Sequence, residues 1–349
     1  DYIDSLGAEL NHEVFEDGIS LSIKSLNEHF RQLLPLLELM INKPILSEIE
    51  FQKVKKSSID LIKKDKENPF NICFEKWRKI VYSNHPYAFS TIGNLNDVSK
   101  ISYEDVLAEF QNFKIREKYI ISNNSEINGK DLRKLDQKIL KEKSGPENYD
   151  LDSMNRFDYI NNDSSQTIMM IGNQTCSRKS TEYLPLKVLE AYLSYGMSAA
   201  LFKLFREKNG ITYDLGVFNP VRSEKAPFLI YLSVSNKNAL FAYELLSSLW
   251  KNLLLKPIND DEIFLAKEKL RSSFLIGNQL LDEILQRKIQ LISYGINPIS
   301  ETHLNSKLND LSSSDIFKLM NKYFSKPFFS ISGNKRICLE VKNRWNKNF

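Results

Sequence analysis

The chain has 349 residues, 42% of them hydrophobic and 26% charged, with a net charge of +4. That is the make-up of an ordinary globular protein long enough for two domains, each able to bury its own core. It argues against a nucleic-acid track, because the basic stretches Lys53 to Lys56, Lys63 to Lys66 and Lys130 to Lys143 are broken by acids and apolar residues at helical spacing. No apolar run reaches the roughly 18 residues of a membrane span.

Three cysteines, Cys73, Cys176 and Cys338, are too far apart and too few for a disulfide framework or a cysteine-zinc site. Free thiols lean towards a reducing compartment, so a cytoplasmic setting is favoured, although compartment and any signal peptide ahead of Asp1 stay open.

In chain order, Ala8 to Phe15 and Ile19 to Ser25 read as a hairpin around Glu16-Asp17-Gly18, an acidic-glycine turn. Amphipathic helices are expected over Asn27 to Ile41, Ser47 to Lys64 and Pro69 to Ser83. A capped helix over Ser102 to Phe113 and a strand over Lys118 to Ser122 follow. The segment around Gln137 to Asp150, charged and then Ser144-Gly145-Pro146, lacks apolar periodicity and reads as a linker.

A second hairpin is expected over Ile211 to Phe218 and Phe228 to Ser235, with a longer loop from Asn219 to Ala226. Helices over Lys237 to Leu254, Asp260 to Ile276, Gln279 to Ser293 and Ser312 to Tyr323 follow, then a strand over Phe328 to Ser332. The early acids Glu48, Asp260, Asp261 and Glu262 suit the positive ends of helix dipoles.

These two series carry the same short phrases in the same order. Leu21-Ser22-Ile23 returns as Leu232-Ser233-Val234, Lys43-Pro44-Ile45 as Lys256-Pro257-Ile258, and Ser57-Ser58-Ile59 as Ser272-Ser273-Phe274. An offset that drifts only slightly is the mark of an internal repeat. Alternating strands and helix clusters then predict an α+β fold of two homologous two-layer α/β sandwich domains. They are assigned to residues 1–140 and 151–349, with a linker at 141–150. Gly7 aligns with Gly210, which leaves the first copy about 53 residues short at its N-terminus, so the chain reads as a fragment or a processed product.

The second copy holds the most specific phrase: Gly196-Met197-Ser198-Ala199-Ala200-Leu201-Phe202, then Leu204-Phe205-Arg206-Glu207-Lys208-Asn209-Gly210-Ile211-Thr212-Tyr213. This resembles the insulinase/pitrilysin-type metallopeptidases, in particular the short-chain branch that includes mitochondrial processing peptidase. The likeness extends to Ile3-Asp4-Ser5-Leu6-Gly7-Ala8, Glu67-Asn68-Pro69 and His85-Pro86-Tyr87.

The resemblance implies two homologous domains around a chamber and a zinc ion held by a helical H-x-x-E-H motif with a distant glutamate. An Arg/Tyr pair in the second domain helps to hold the peptide. Two histidines four apart share one helical face and can bind one tetrahedral ion, and the glutamate between them activates water. The pair maps onto Arg206 and Tyr213, both hydrogen-bond donors suited to a peptide carbonyl or an oxyanion. Taken alone, Arg206 is equally an arginine that pairs with a nearby acid, and Tyr213 a half-buried strand tyrosine.

No H-x-x-E-H occurs among the 349 residues. Ser25-Leu26-Asn27-Glu28-His29 has only the tail of the pattern. The run Leu61-Ile62-Lys63-Lys64-Asp65-Lys66-Glu67-Asn68-Pro69 places Leu61 where the resemblance expects the third ligand, and leucine cannot bind zinc. Asp60 stands one helical step, about 100 degrees, away from that face. His12 on a strand, His85 in a His-Pro-Tyr turn and His303 in a connection are read as ordinary structural histidines.

The leading expectation is a non-catalytic, peptide-binding family member that binds no zinc itself. It would work with a homologous zinc-bearing catalytic subunit, or as a self-dimer, on unfolded peptide. A second reading is an active zinc endopeptidase whose motif lies upstream. A third is a structural assembly subunit of the same fold.

Overall fold

The computed structural model describes residues 1–115, 120–122, 155–299 and 304–349. The linker expected at 141–150 lies outside them, as does His303. Of the expected strand Lys118 to Ser122, only 120–122 are described, and they are not part of a strand.

Contacts group the chain into two compact units. The first takes Asp1–Lys64, Ser90–Asn148 and Leu281–Gly295; the second takes Asp65–Phe89, Tyr149–Leu280 and Ile296–Phe349.

In the first unit a short helix, Tyr2–Ser5, leads through Gly7 into strands β1 (Glu9–Phe15) and β2 (Gly18–Lys24). They pair antiparallel with Phe15 opposite Gly18, so Glu16-Asp17 form a two-residue turn. Helices Asn27–Asn42 and Glu48–Asp65 follow, and later Leu95–Lys100 and Tyr103–Ile115. The Ser47 hydroxyl accepts the Glu50 N–H at 3.2 Å, and Ser102 with Asp105 closes a reciprocal cap at the start of the 103–115 helix.

A hairpin alone is marginally stable in water and needs something packed on it. Helix Leu281–Ser293 is tied to this one at two points. Lys24 at the end of β2 reaches Asp282 at 2.9 Å, and Tyr294 donates to Asp17 in the hairpin turn at 2.7 Å. The two ties lie at opposite ends of both elements, so the helix runs antiparallel to β2.

The second unit is built on a five-stranded sheet of β3 (Phe157–Asn161), β4 (Gln166–Gln174), β5 (Thr212–Phe218), β6 (Pro227–Ser235) and β7 (Phe328–Gly333), in the order β3-β7-β4-β6-β5. Only β3 and β7 run parallel. Successive side chains alternate between its faces. Met169, Ile171, Ile230, Leu232, Phe329 and Ile331 face one core, with helices Tyr183–Ser194, Ala239–Leu255, Ser313–Phe324 and Lys335–Asn348.

Ile168, Met170, Leu229 and Phe328 face the other side, where helix Pro69–Tyr82 presents Cys73, Trp77 and Val81. The Trp77 indole donates to the Phe328 carbonyl at 3.4 Å, and the Cys73 thiol lies 3.2 Å from the Ser330 hydroxyl. This helix starts where the sequence expects it: Pro69 occupies the first turn, and the Asn68 side chain accepts the Phe70 N–H at 2.9 Å. At Gly172 a Cβ would stand 2.2 Å from the Phe228 carbonyl oxygen, so β4 and β6 pair there only because the residue is glycine.

Each hairpin is followed by three helices, as expected, and in both series the third helix is housed away from its own hairpin. Pro69–Tyr82 follows β1 and β2 but belongs to the second unit. Leu281–Ser293 follows β5 and β6 but belongs to the first. The α+β class holds. Within the second unit four helices line one sheet face and the 69–82 helix lines the other. No described helix is long and apolar enough to cross a membrane.

Candidate functional site

Arg206 stands on a turn whose shape is unusual. After helix Tyr183–Ser194, Gly196 takes φ +74, and the chain buries Leu201 and Phe205 as it enters a π-helical turn, Phe202–Glu207. The Lys208 N–H bonds the Lys203 carbonyl at 3.0 Å, five residues back. Gly210 ends the turn at φ +57, and its N–H bonds the Arg206 carbonyl at 3.1 Å. That left-handed conformation favours glycine, which explains its place in the phrase. Arg206 itself is exposed, with its guanidinium 5.4 Å from the centre of the Phe202 ring. Among the described residues no carboxylate pairs with it.

Tyr213 follows in β5, the edge strand of the sheet. Thr212 pairs with Val234 and Asp214 with Ser233, so Tyr213 is the extra residue of a β-bulge. Bulges of the backbone gather near binding sites. Thr212 anchors this one: its hydroxyl lies 2.5 Å from the Ser233 carbonyl oxygen and 2.9 Å from that of Asp214. The backbone therefore sets Arg206 on a π-turn and Tyr213 on a bulge, with Gly210 between them.

The loop from Asn219 to Ala226 connects β5 to β6 and is fastened to the turn after the 69–82 helix. The Tyr82 hydroxyl donates to the Lys225 carbonyl at 2.9 Å, and the hydroxyls of Tyr87 and Ser223 lie 3.2 Å apart. His85 is buried. Its Nδ1 accepts the Tyr87 N–H at 3.0 Å, which leaves the proton on Nε2 to face Glu224 at 2.7 Å. This is the structural role expected of His85, and the acidic partner is what sequence spacing could not show.

Leu61 lies on the Glu48–Asp65 helix and is 52% exposed, while its neighbour Ile62 points into the core. The Asp60 carboxylate is exposed and turned to Lys63, 3.7 Å away. His12 is exposed on β1, and His29 lies 3.7 Å from Glu28. Among the described residues no three His, Cys, Asp or Glu side chains are placed to hold a metal ion. A zinc ion does not fit the described residues around Leu61.

Burial keeps the three free cysteines from being reactive. It pushes the Cys73 thiol up to about 12 and that of Cys338 to about 11, and raises Cys176 as well. The residue that spacing overlooked is Asn209. Its side-chain amide donates to the Leu204 carbonyl at 2.7 Å and closes the turn bearing Arg206. The Asn209-Gly210 dipeptide was the available signal, since Asn-Gly marks a turn.

Residues 103–270 match the family model described as Peptidase M16 inactive domain. An uncharacterized zinc protease of Rickettsia felis is 23% identical over 331 residues, covering 92% of this chain and 79% of that protein. Among solved structures, a protease from Helicobacter pylori superposes with a TM-score of 0.81 at 17% identity, over 95% of this chain and 83% of its own. The peptidase M16 inactive domain from Pseudomonas fluorescens gives 0.79 at 18% identity, over 95% and 82%. The phrase around Arg206, the fold and these likenesses together support a relationship of this chain to the insulinase-type, M16 metallopeptidases.

Proposed function

We propose that this chain is a non-catalytic, peptide-binding member of its family that works with a zinc-bearing partner. The observation that supports this most is Leu61: a leucine, half exposed, stands where the family resemblance expects a zinc-binding glutamate. The likeness of residues 103–270 to a domain described as inactive agrees with it. In this reading Arg206 and Tyr213 hold the carbonyl groups of an extended, unfolded peptide, while hydrolysis takes place at a metal in a homologous subunit. An exposed guanidinium with no acidic partner among the described residues is free to donate in that way.

The test measures zinc content of the purified chain by atomic emission and cleavage of fluorogenic unfolded peptides. Each assay is run alone and with a homologue that carries H-x-x-E-H. Cleavage only in the mixture is expected. Stoichiometric zinc and turnover by the chain alone would overturn the proposal in favour of an active endopeptidase.

A further inference from the structure

The turn that carries Arg206 has a defect in its hydrogen-bond ladder. Because the Lys208 N–H reaches back five residues to Lys203, the ladder passes over the Leu204 carbonyl, which an α-helical register would give to Lys208. A part-buried carbonyl without a donor is costly, and here the Asn209 side-chain amide meets it at 2.7 Å. On the other side of the turn the Phe202 ring lies beneath the Arg206 guanidinium.

From this geometry we infer that Asn209 and Phe202 are positioning residues that aim Arg206 at bound peptide: Asn209 holds the π-turn open, and the Phe202 ring carries the guanidinium. Without the amide, the turn relaxes towards the α register, in which Lys208 takes the Leu204 carbonyl. The residues between then rotate by about one helical step, ~100 degrees, which swings Arg206 away from its present direction. Without the ring, the guanidinium loses the surface on which it rests. Neither residue needs to touch the peptide.

The inference rests on the proposed role of Arg206, and a double-mutant cycle separates the two. The full chain is titrated against fluorescein-labelled tryptic peptides of reduced, carboxymethylated albumin, with anisotropy as the readout. Arg206→Ala should weaken binding, and Asn209→Ala should weaken it by about fivefold, the size of one hydrogen bond's contribution. In an Arg206→Ala background, Asn209→Ala should then change nothing further.

Phe202→Leu keeps an apolar side chain on the turn and should repeat the pattern, so it decides the matter if Asn209→Ala does not fold. Equal losses in both backgrounds, or no loss in either, would overturn the positioning role while leaving Arg206 a peptide contact. Full binding by Arg206→Ala would overturn the peptide-binding role of Arg206, and the positioning role with it.

Discussion

Tyr294 donates its hydroxyl to the carboxylate of Asp17 at 2.7 Å, across 277 residues of sequence. With Lys24 and Asp282 it fixes a helix from late in the chain along the first hairpin, just as the 69–82 helix is built into the later sheet. Both compact units therefore draw on both halves of the polypeptide. Cutting the chain at a protease site engineered next to Gly145 should leave two fragments that co-elute on gel filtration and separate only in denaturant. Fragments that part under native conditions would contradict that. Tyr294→Phe should cost about 1 kcal/mol in denaturant titration, the ordinary value of one hydrogen bond.

Trp77 is fully buried against β4, β6 and β7, and its indole N–H has a partner in the Phe328 carbonyl. Trp77→Ala removes the largest side chain on that face of the sheet and should destabilise the second unit by about 3–5 kcal/mol. Chemical denaturation followed by far-UV circular dichroism measures the loss. A cost below about 1 kcal/mol would mean that the 69–82 helix does not seal this face.

The thiols offer a probe of the same packing. With Cys73 held near 12 and Cys338 near 11 by burial, little thiolate forms in the native protein at about pH 8. Aromatic-disulfide titration should label almost nothing natively, then Cys73, Cys176 and Cys338 together once the chain is unfolded. A thiol that reacts rapidly in the native state would place that cysteine outside the core.

Acid should weaken one identifiable cap. Asp315 accepts from both the hydroxyl and the N–H of Ser312, at 2.7 and 3.1 Å, and these bonds hold its carboxyl below the ordinary 3.8. Because the folded value is the depressed one, the cap's contribution is complete above 3.8 and is lost as pH falls through the lower folded value. Asp315→Asn should therefore melt below the wild type at about pH 6, and the gap should narrow below about pH 4. A gap that does not change with pH would show that the carboxylate's charge contributes nothing to the cap.

Local structure was largely legible in the residues. Asn68-Pro69 and Ser312 mark helix starts because capping is settled by a few neighbouring atoms, and the structure begins helices at Pro69 and Ser313. Both hairpins appear as expected, with Gly18 inside β2 rather than in the turn. Strands β3 and β4, and helices Tyr183–Ser194 and Lys335–Asn348, were not anticipated. In β4 the run Ile168 to Ile171 is buried on both faces, so it lacks the apolar-polar alternation that announces a strand.

By itself the sequence determined the family phrase from Gly196 to Tyr213, the leucine at position 61, and most helix boundaries, since each depends on residue identity or on contacts within a turn. Only the tertiary structure decided that the 69–82 helix covers the sheet of the second unit and that Leu281–Ser293 braces the first hairpin. It also placed Arg206 on a π-turn closed by Asn209. Those outcomes depend on which apolar faces and unpaired carbonyls meet across long stretches of chain, and the spacing of residues along one element carries no record of that.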